Sequence, residues 1–148
     1  MNLSNTKIKG DFRWRSVYNV QLKLLNCTLA NDIITFKNDF IIEIILDNNQ
    51  KEIIQNIEHK LRGELARDNC YLKTNLVNNN TLSIKLWCNR RQIKTIIHDH
   101  HNKVVDYSSL KKNSIVDIYC IIDSLWAHRQ YYPNFIYKLK PEAIQFCE

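Results

Sequence analysis

Glycine and proline are almost absent from this 148-residue sequence, which contains only 2 of each. The two glycines, Gly10 and Gly63, lie far apart, so the chain has no glycine-rich loop that could cradle a phosphate. Ser124 lies in no known nucleophile motif, and the carboxylates are scattered rather than paired for acid–base hydrolysis. These absences argue against the common enzyme classes, and we expect a protein that is not an enzyme.

Paired cysteines are also missing. Zinc ribbons and disulfide frameworks need paired spacing, which this chain does not have. We therefore expect the cysteines to be small buried side chains of a protein in a reducing compartment. The five residues concerned are Cys27, Cys70, Cys88, Cys120 and Cys147.

One histidine cluster, at positions 98–101, could bind a metal ion. Catalytic sites normally draw their ligands from separate elements, whereas these residues fall in one loop without a cysteine partner. A solvated loop is therefore favoured, and we expect no cofactor. A small nuclease or metal hydrolase using His98, His100 and His101 stays as an alternative, with chelator-sensitive activity as its mark.

Long hydrophobic runs are lacking too. Runs such as residues 40–42 and 44–46 are far too short to span a membrane, and the N-terminus lacks the apolar core of a signal peptide. Asn and Ile are abundant, as in AT-rich genomes such as those of many viruses. We expect no membrane partner and a location in the cytoplasm or nucleus of a virus-infected cell.

Charge and hydrophobicity are present in the proportions of a globular, basic protein. Hydrophobic residues make up 45% and charged residues 24%, which is enough for one domain with a real core. The net charge is +6, so an anionic partner fits, although a basic composition alone is weak evidence for nucleic acid.

Alternating polar and apolar residues predict strands along most of the chain. Residues 1–12 are polar, and we expect a flexible arm there. The strand patterns cover about 13–24, 33–46, 71–76, 81–88, 93–98, 115–126 and 135–140.

One helix interrupts the strands, at about residues 50–67. Asn49 and Glu52 have the spacing of a capping box. Apolar residues at helical spacing form one stripe, and Glu58 falls outside it. The members of the stripe are Ile53, Ile54, Ile57, Leu61 and Leu65.

The sum is a mainly β (α+β) fold with one central helix in a single domain, residues 13–148. Short strands, basic turns and one helix fit a small oligonucleotide/oligosaccharide-binding (OB) barrel of five strands, partly open. A ferredoxin-like fold would need two clear helices, and a sandwich usually lacks such a long helix.

Basic and aromatic residues accompany the predicted strands. Trp87 and Lys85 lie on the strand face opposite Leu82, Ile84 and Leu86, and Arg90 and Arg91 follow in a turn. If Leu82, Ile84 and Leu86 face the core, Trp87 points outward and can stack on bases, and its basic neighbours can contact phosphates. The alternative is that Trp87 covers the edge of a second small core.

A second basic and aromatic set lies near the C-terminus. Trp126 ends an apolar strand, so we expect it to anchor the core. Trp14, between Arg13 and Arg15, either extends the binding surface or begins the core face with Tyr18. The candidate phosphate-binding and stacking residues of this set are Arg129, Tyr131, Tyr132, Tyr137, Lys138 and Lys140.

The last forty residues or so resemble the end of OB-fold single-stranded DNA-binding proteins of large DNA viruses. The resemblance rests on the lysine-containing turn at 106–113, the apolar strand ending Ser124-Leu125-Trp126, and the aromatic strand at 135–140. Such turns often carry glycine where this chain has Asn113, which also tolerates a left-handed backbone. The resemblance implies sequence-tolerant binding to exposed single strands.

From these residues we predict a single-stranded DNA-binding protein acting in viral DNA replication, recombination or transcription. Lys111 and Lys112 are further candidates for phosphate contacts. RNA offers the same phosphates and stackable bases, so it stays an alternative ligand. A homo-oligomer along the strand is compatible with this function. The alternative is a viral protein-interaction module, a host-factor inhibitor or structural component with no nucleic-acid role.

Overall fold

The computed structural model describes residues 2–78 and 80–147, without the side chain of Asn19. Strands predominate in this part of the chain, which contains a single α-helix, as the periodicity predicts. The helix α1 spans Asn48–Ala66, and a short 3-10 turn spans Tyr107–Ser109. The strands are β1 (Asn2–Leu3), β2 (Lys7–Lys9), β3 (Phe12–Leu29), β4 (Ile34–Phe36), β5 (Asp39–Ile45), β6 (Tyr71–Leu72), β7 (Leu76–Val77), β8 (Thr81–Lys85), β9 (Cys88–Asn89), β10 (Gln92–Ile93), β11 (Ile96–His98), β12 (Ile115–His128) and β13 (Asn134–Phe146).

Most of the strands belong to one sheet. Its order is β11-β13-β12-β3-β5-β8-β7, with β1 and β2 on β3, β4 on β5, and β6 on β13. The strands β11 and β6 both lie parallel to β13, whereas β5 and β8 are antiparallel. The described pairings end at β11 and β7, so they leave the sheet open. The strands β9 and β10 form a separate hairpin.

The chain divides into two compact units. Four long elements, α1, β3, β12 and β13, contribute residues to both of them. Unit 1 consists of Met1–Val20, Glu52–Asn75 and Ile122–Lys138. Unit 2 consists of Gln21–Lys51, Leu76–Ile121 and Leu139–Glu148.

Two short strands, β1 and β2, lie in the N-terminal stretch where the sequence led us to expect a flexible arm. The strand β1 pairs with β3 at Tyr18 and Val17, and β2 folds back on β3, placing Lys7 opposite Trp14. Gly10 makes this return with a φ of 58°, a left-handed conformation that glycine adopts without strain. All of β2 is exposed, and this explains its polar composition. Lysines on an exposed edge strand also discourage pairing with other chains.

The helix begins two residues earlier than predicted, at Asn48. Asp47 and Gln50 form the capping box: each backbone N–H donates to the other's side-chain oxygen at 2.8 Å. The predicted pair, Asn49 and Glu52, has the same spacing but is not used. The Gln50 amide also donates to the carbonyl oxygens of Leu25 and Asn26, contacts that no local pattern reveals.

The buried face of α1 differs from the predicted stripe at two positions. Ile54, Leu61 and Leu65 are buried as expected, whereas Ile53 is 38% exposed. Glu58, expected outside the stripe, is 1% exposed. Ile54 and Glu58 are one helical turn apart, so Glu58 lies on the same face as the core leucines. A buried carboxylate requires partners, which are described below.

The core of unit 2 follows the predicted strand faces. Ile42 pairs with Ile84 and Ile44 pairs with Leu82 across β5 and β8, and all four side chains are buried. Leu86 is buried as well, so the predicted core face of this strand is confirmed. No helix in residues 2–78 or 80–147 is long and apolar enough to cross a membrane.

Candidate nucleic-acid interface

Burial along β12 changes phase at Asp123–Ser124, and this change brings Trp126 out of the core. Before this point the even-numbered residues from 116 to 122 are buried, whereas beyond it Leu125 and Ala127 are buried. Two successive residues that both avoid the core, followed by an inverted alternation, are typical of a β-bulge. Trp126, expected to anchor the core, is therefore only half-buried.

The first part of β3 also has a different phase from the predicted one. Arg15 and Val17 are buried, whereas Trp14 is half-buried and Phe12 is 45% exposed. Of the two alternatives for Trp14, a core face shared with Tyr18 does not fit, because Tyr18 is 50% exposed. Arg15 is not free for phosphates, because its Nε donates to the Ser4 carbonyl at 2.8 Å and its guanidinium lies 3.0 Å from the Asp68 carboxylate.

These two outward phases bring aromatic rings together in unit 1. The Trp14 and Trp126 rings lie 6.0 Å apart between centroids at an interplanar angle of 21°. Phe12 meets Trp126 edge-on at 6.0 Å and His128 edge-on at 5.4 Å. Edge-on and offset arrangements are the favourable ones for aromatic pairs. We call these four residues, Phe12, Trp14, Trp126 and His128, the aromatic cluster.

Two ammonium groups lie over the tryptophans of the aromatic cluster. The Nζ of Lys138 is 4.4 Å from the centroid of Trp126, and that of Lys7 is 4.8 Å from the centroid of Trp14. Both distances are within the range of a cation–π interaction. Positive charge and π-faces therefore lie within a few ångströms of each other on this surface. Lys138 was a candidate phosphate contact from the sequence, whereas Lys7 was not.

A groove of about 760 Å³ runs beside the aromatic cluster. Its most exposed ring is Tyr131, which is 63% exposed. Lys73 adds a cation to one wall, and Ile136 adds an apolar surface. The lining residues are Phe12, Leu72, Lys73, Trp126, Ala127, His128, Tyr131, Asn134 and Ile136.

A compact turn carries Tyr131, which lines the groove, and its neighbour Tyr132. Both of their backbone N–H groups donate to the His128 carbonyl, at 2.8 and 3.0 Å. The bond between Tyr132 and Pro133 is cis, and Tyr132 is 45% exposed. Arg129 begins the turn and forms an ion pair with Asp11 at 3.3 Å. The predicted exposure of both tyrosines is confirmed, and Arg129 already has a partner for its charge.

Tyr137 does not belong to this surface. It is 2% exposed, and its hydroxyl donates to the Glu58 carboxylate at 2.6 Å. Burial, followed by the bond to Glu58, raises the pKa of this phenol well above its ordinary value. The prediction that Tyr137 stacks on a base is therefore wrong, because the ring faces the core between exposed neighbours on β13.

Glu58 has three further partners besides Tyr137. It accepts hydrogen bonds from the Thr74 hydroxyl at 2.9 Å and the Asn75 backbone N–H at 3.3 Å. Arg62, one turn along the helix, lies at 3.2 Å. These donors satisfy the buried carboxylate and connect α1 to the segment after β6.

In unit 2, a third tryptophan and lysine pair is present at Trp87. The Lys140 Nζ lies 4.0 Å from the ring centroid, and Trp87 is half-buried. Thr95 fixes the backbone here, because its Oγ1 accepts from the Trp87 N–H at 2.8 Å and donates to the Pro141 carbonyl at 2.7 Å. The predicted outward position of Trp87 is thus confirmed only for part of the ring.

Arg90 and Arg91 form the tip of the β9–β10 hairpin. Both have left-handed backbones, with φ of 51° and 67°, as a two-residue type I′ turn requires. Asn and Gly are the usual residues here, so two arginines in these positions store strain. Within the described residues neither forms an ion pair. Lys85, by contrast, lies 2.9 Å from Asp39.

The two remaining polar segments form ordinary turns. Asp99 accepts from the backbone N–H groups of Lys103 at 3.0 Å and His101 at 2.9 Å, and the bond from Lys103 is the main cause that lowers its pKa. No cluster of metal-ligating residues occurs in the described part of the chain. Lys111 and Lys112 are exposed, and Asn113 takes the left-handed backbone with a φ of 70°.

The predicted site residues thus fall into two groups, each within one unit. Phe12 and Lys7 were not predicted as site residues, because they lie in the stretch expected to be a flexible arm. The turn residues Gly10 and Asp11 between them were the available signal for a hairpin. Unit 1 holds Arg129, Tyr131, Tyr132 and Lys138, and unit 2 holds Lys85, Trp87, Arg90, Arg91 and Lys140.

Comparison with known proteins identifies the fold. No protein-family model matches the sequence, and no curated protein matches it. The structure is similar to gp2.5, a single-stranded DNA-binding protein encoded by bacteriophage T7, with a TM-score of 0.59 and 10% identity over 89% of this chain and 93% of that one. It is also similar to the single-stranded DNA-binding protein of bacteriophage Enc34 in complex with ssDNA, with a TM-score of 0.56 and 7% identity over 99% of this chain and 95% of that one.

A C-terminal truncation of the Enc34 protein matches with the same TM-score of 0.56, at 10% identity. The chain therefore has the fold of these phage proteins, and the predicted mainly β, OB-like class with one helix is confirmed. The resemblance to viral single-stranded DNA-binding proteins holds at the level of the fold.

Proposed function

We propose that this protein binds single-stranded DNA and is not an enzyme. The observation that carries the proposal is the aromatic cluster of unit 1, where the Trp14 and Trp126 rings each have a lysine ammonium within 5 Å. A single strand offers flat bases that can stack on the rings and phosphates that can pair with the ammonium groups.

The exposed rings favour unpaired bases over a duplex. Tyr131 and Phe12 border the groove with 63% and 45% of their surface exposed, and a base must leave its own stack to lie on either ring. Every base has a π-face, so such stacking is sequence-tolerant and contributes about 1–3 kcal/mol per base. Within a duplex those faces are already covered.

Lys138 can interact with Trp126 when no DNA is bound and with a phosphate when DNA is bound. Without DNA its ammonium lies over Trp126, and its long side chain allows the charge to move to a phosphate when a base arrives. Binding that neutralises phosphates releases counterions, so the affinity falls steeply with salt. We assign Arg129, Lys73 and Lys7 the same type of contact in unit 1.

Trp87 and its basic neighbours in unit 2 are proposed as a second set of contacts with the single strand. Trp87 would stack through its open part, with Lys140 and Lys85 beside it. Arg90 and Arg91 would bind phosphates, since the described structure gives them no acidic partner. Lys111 and Lys112 are assigned the same role.

Tyr132 would stack alongside Tyr131 in unit 1.

We further infer a role in viral DNA replication, recombination or transcription inside an infected cell. The support is the shared fold with two phage proteins whose names describe single-stranded DNA binding. Exposed single strands arise in all three processes, and a sequence-tolerant binder serves each of them.

The test is fluorescence anisotropy with a labelled oligo-dT of about 30 nucleotides, longer than the roughly 4–16 nucleotides that one OB fold covers. Tight binding that weakens with salt and resists duplex competitor is expected, with an RNA competitor to compare the two single strands. Lys138→Gln should weaken binding, whereas the matched charge change Lys60→Gln, on the exposed side of α1, should not.

The absence of binding at low salt would overturn the proposal and favour the protein-interaction alternative. Equal affinity for duplex and single strand would contradict the role given to Tyr131 and Phe12, and would leave only non-specific charge attraction.

A further inference from the structure

The indole of Trp126 is held by a relay of two hydrogen bonds along β12. Its Nε1–H donates to the Ser124 hydroxyl oxygen at 2.7 Å. The Ser124 hydroxyl in turn donates to the Asp123 carboxylate at 3.1 Å. All three residues lie at or just after the change of burial phase, so the same local feature turns the indole outward and holds it there.

Chemistry fixes the direction of both bonds. An indole N–H can only donate, and an ionised carboxylate can only accept. The single hydroxyl proton of Ser124 must therefore point to Asp123, leaving an oxygen lone pair for Trp126. Charge on the carboxylate polarises the hydroxyl and strengthens the bond to the indole.

The relay has a consequence for binding. A half-exposed indole can occupy several rotamers, and a base that stacks on it must select one of them at an entropic cost. Ser124 removes that freedom in advance and keeps the ring at 21° to Trp14. The carboxylate of Asp123 repels phosphates on an otherwise basic surface. Orienting the Ser124 hydroxyl gives this acidic residue a function there.

We propose that Ser124 and Asp123 are positioning residues for nucleobase stacking on Trp126. Ser124 holds the indole nitrogen, and Asp123 orients the Ser124 hydroxyl. This inference rests on the proposed binding of single-stranded DNA and adds the residues that preorganise its stacking platform.

The hydrogen bond can be tested without DNA in the intact protein. The chain has three tryptophans, so a proton–nitrogen correlation spectrum shows three indole N–H signals, assignable by substituting each tryptophan. Ser124→Ala should move the Trp126 signal upfield and speed its exchange with solvent. Ser124→Thr keeps the hydroxyl and should restore both properties. Asp123→Asn keeps an acceptor oxygen but loses the charge, so the bond should persist in a weaker form, with a smaller upfield shift than in Ser124→Ala.

Binding of oligo-dT by the same variants tests the functional half. Ser124→Ala should weaken binding by about two- to tenfold, the range that one net hydrogen bond corresponds to, with an unchanged salt slope. Ser124→Thr should recover the loss. Asp123→Asn should bind no more weakly than the wild type, because it removes a negative charge and keeps the acceptor.

The outcomes are separable. An unchanged Trp126 signal in Ser124→Ala would overturn the relay. A shifted signal with unchanged affinity, in a wild type that binds, would overturn the preorganising role alone. A wild type that does not bind would overturn the proposed function and the stacking role with it, while the indole signal would still report the bond to Ser124.

Discussion

The hydroxyl of Tyr137 on β13 donates a 2.6 Å hydrogen bond to the carboxylate of Glu58 on α1. The residues adjacent in sequence predict that both side chains are exposed, whereas both are buried. Tyr137 lies between exposed residues in a basic strand, and Glu58 lies among charged residues of the helix. Both are buried, and each supplies the polar partner that makes the burial of the other tolerable.

Tyr137→Phe should therefore change stability and leave DNA binding alone. The variant loses one hydrogen bond to a carboxylate, so the free energy of unfolding should fall by about 1–3 kcal/mol. Urea denaturation followed by circular dichroism measures this loss. The matched control is Tyr18→Phe, because Tyr18 is 50% exposed and should show almost no change.

Anisotropy on the same two variants completes this test. Under conditions where both are folded, each should bind oligo-dT as the wild type does. Weaker binding by Tyr137→Phe at unchanged stability would show that the hydroxyl contacts DNA instead of Glu58, and would contradict the structural role given to this residue.

The exposed rings of the groove should carry the stacking energy. Phe12→Ala and Tyr131→Ala should each weaken binding by about 1–3 kcal/mol, the contribution of one stacked base, with little change in the salt dependence. The control is Phe36→Ala on β4. Its ring is 60% exposed but lies outside the groove and should be neutral. Equal losses at all three positions, measured by anisotropy, would refute a local stacking site.

The β9–β10 hairpin should give opposite changes in stability and affinity. Replacing Arg90 by Asn and Arg91 by Gly suits the left-handed turn, so the free energy of unfolding should rise by about 1 kcal/mol. The same change removes two cations, and the salt slope of binding should fall by about 0.7 for each phosphate that the variant no longer neutralises.

A paired measurement settles the role of the hairpin. Thermal or urea unfolding gives the first quantity, and anisotropy across a salt series gives the second. A more stable variant with an unchanged salt slope would remove both arginines from the proposed contacts. Lys60→Gln serves again as the control for a general loss of charge.

Local pattern predicted much of this fold. Alternation identified the strands, helical spacing identified α1, and the buried face of β8 was predicted residue by residue. These features depend on nearest neighbours along one element, which a sequence displays directly. The single-helix, mainly β class followed from them.

The site was harder to predict, because it depends on changes of phase. An uninterrupted alternation through β12 would place Trp126 in the core, and the change of burial phase at Asp123–Ser124 reverses that outcome. The side chains on either side of a bulge obey the same local rule, so only the packing of other elements reveals which phase applies. The strand β2 was not predicted for a related reason. An exposed edge strand buries neither face, so its sequence shows no apolar alternation.

Alkaline pH should destabilise the protein through two buried thiols of unit 2. Burial, with smaller contributions from nearby negative groups, raises the pKa of Cys27 and of Cys120 from 9.0 to about 12. The folded state therefore keeps protons that the unfolded state releases above pH 9, and the free energy of unfolding falls as pH rises. This stabilisation is fully present below pH 9 and is lost towards pH 12.

The size of the effect follows from linkage. Each thiol should remove up to about 1.4 kcal/mol for every pH unit above its unfolded pKa. Cys120→Ala should lose stability at pH 7 through the cavity it leaves, and its stability should then fall less steeply with pH than that of the wild type. Val116→Ala on the same strand, also fully buried, is the control: it leaves a cavity without a titrating group, so its difference from the wild type should stay constant. Urea denaturation at several pH values under reducing conditions measures both, and parallel curves for Cys120→Ala and the wild type would contradict the raised pKa.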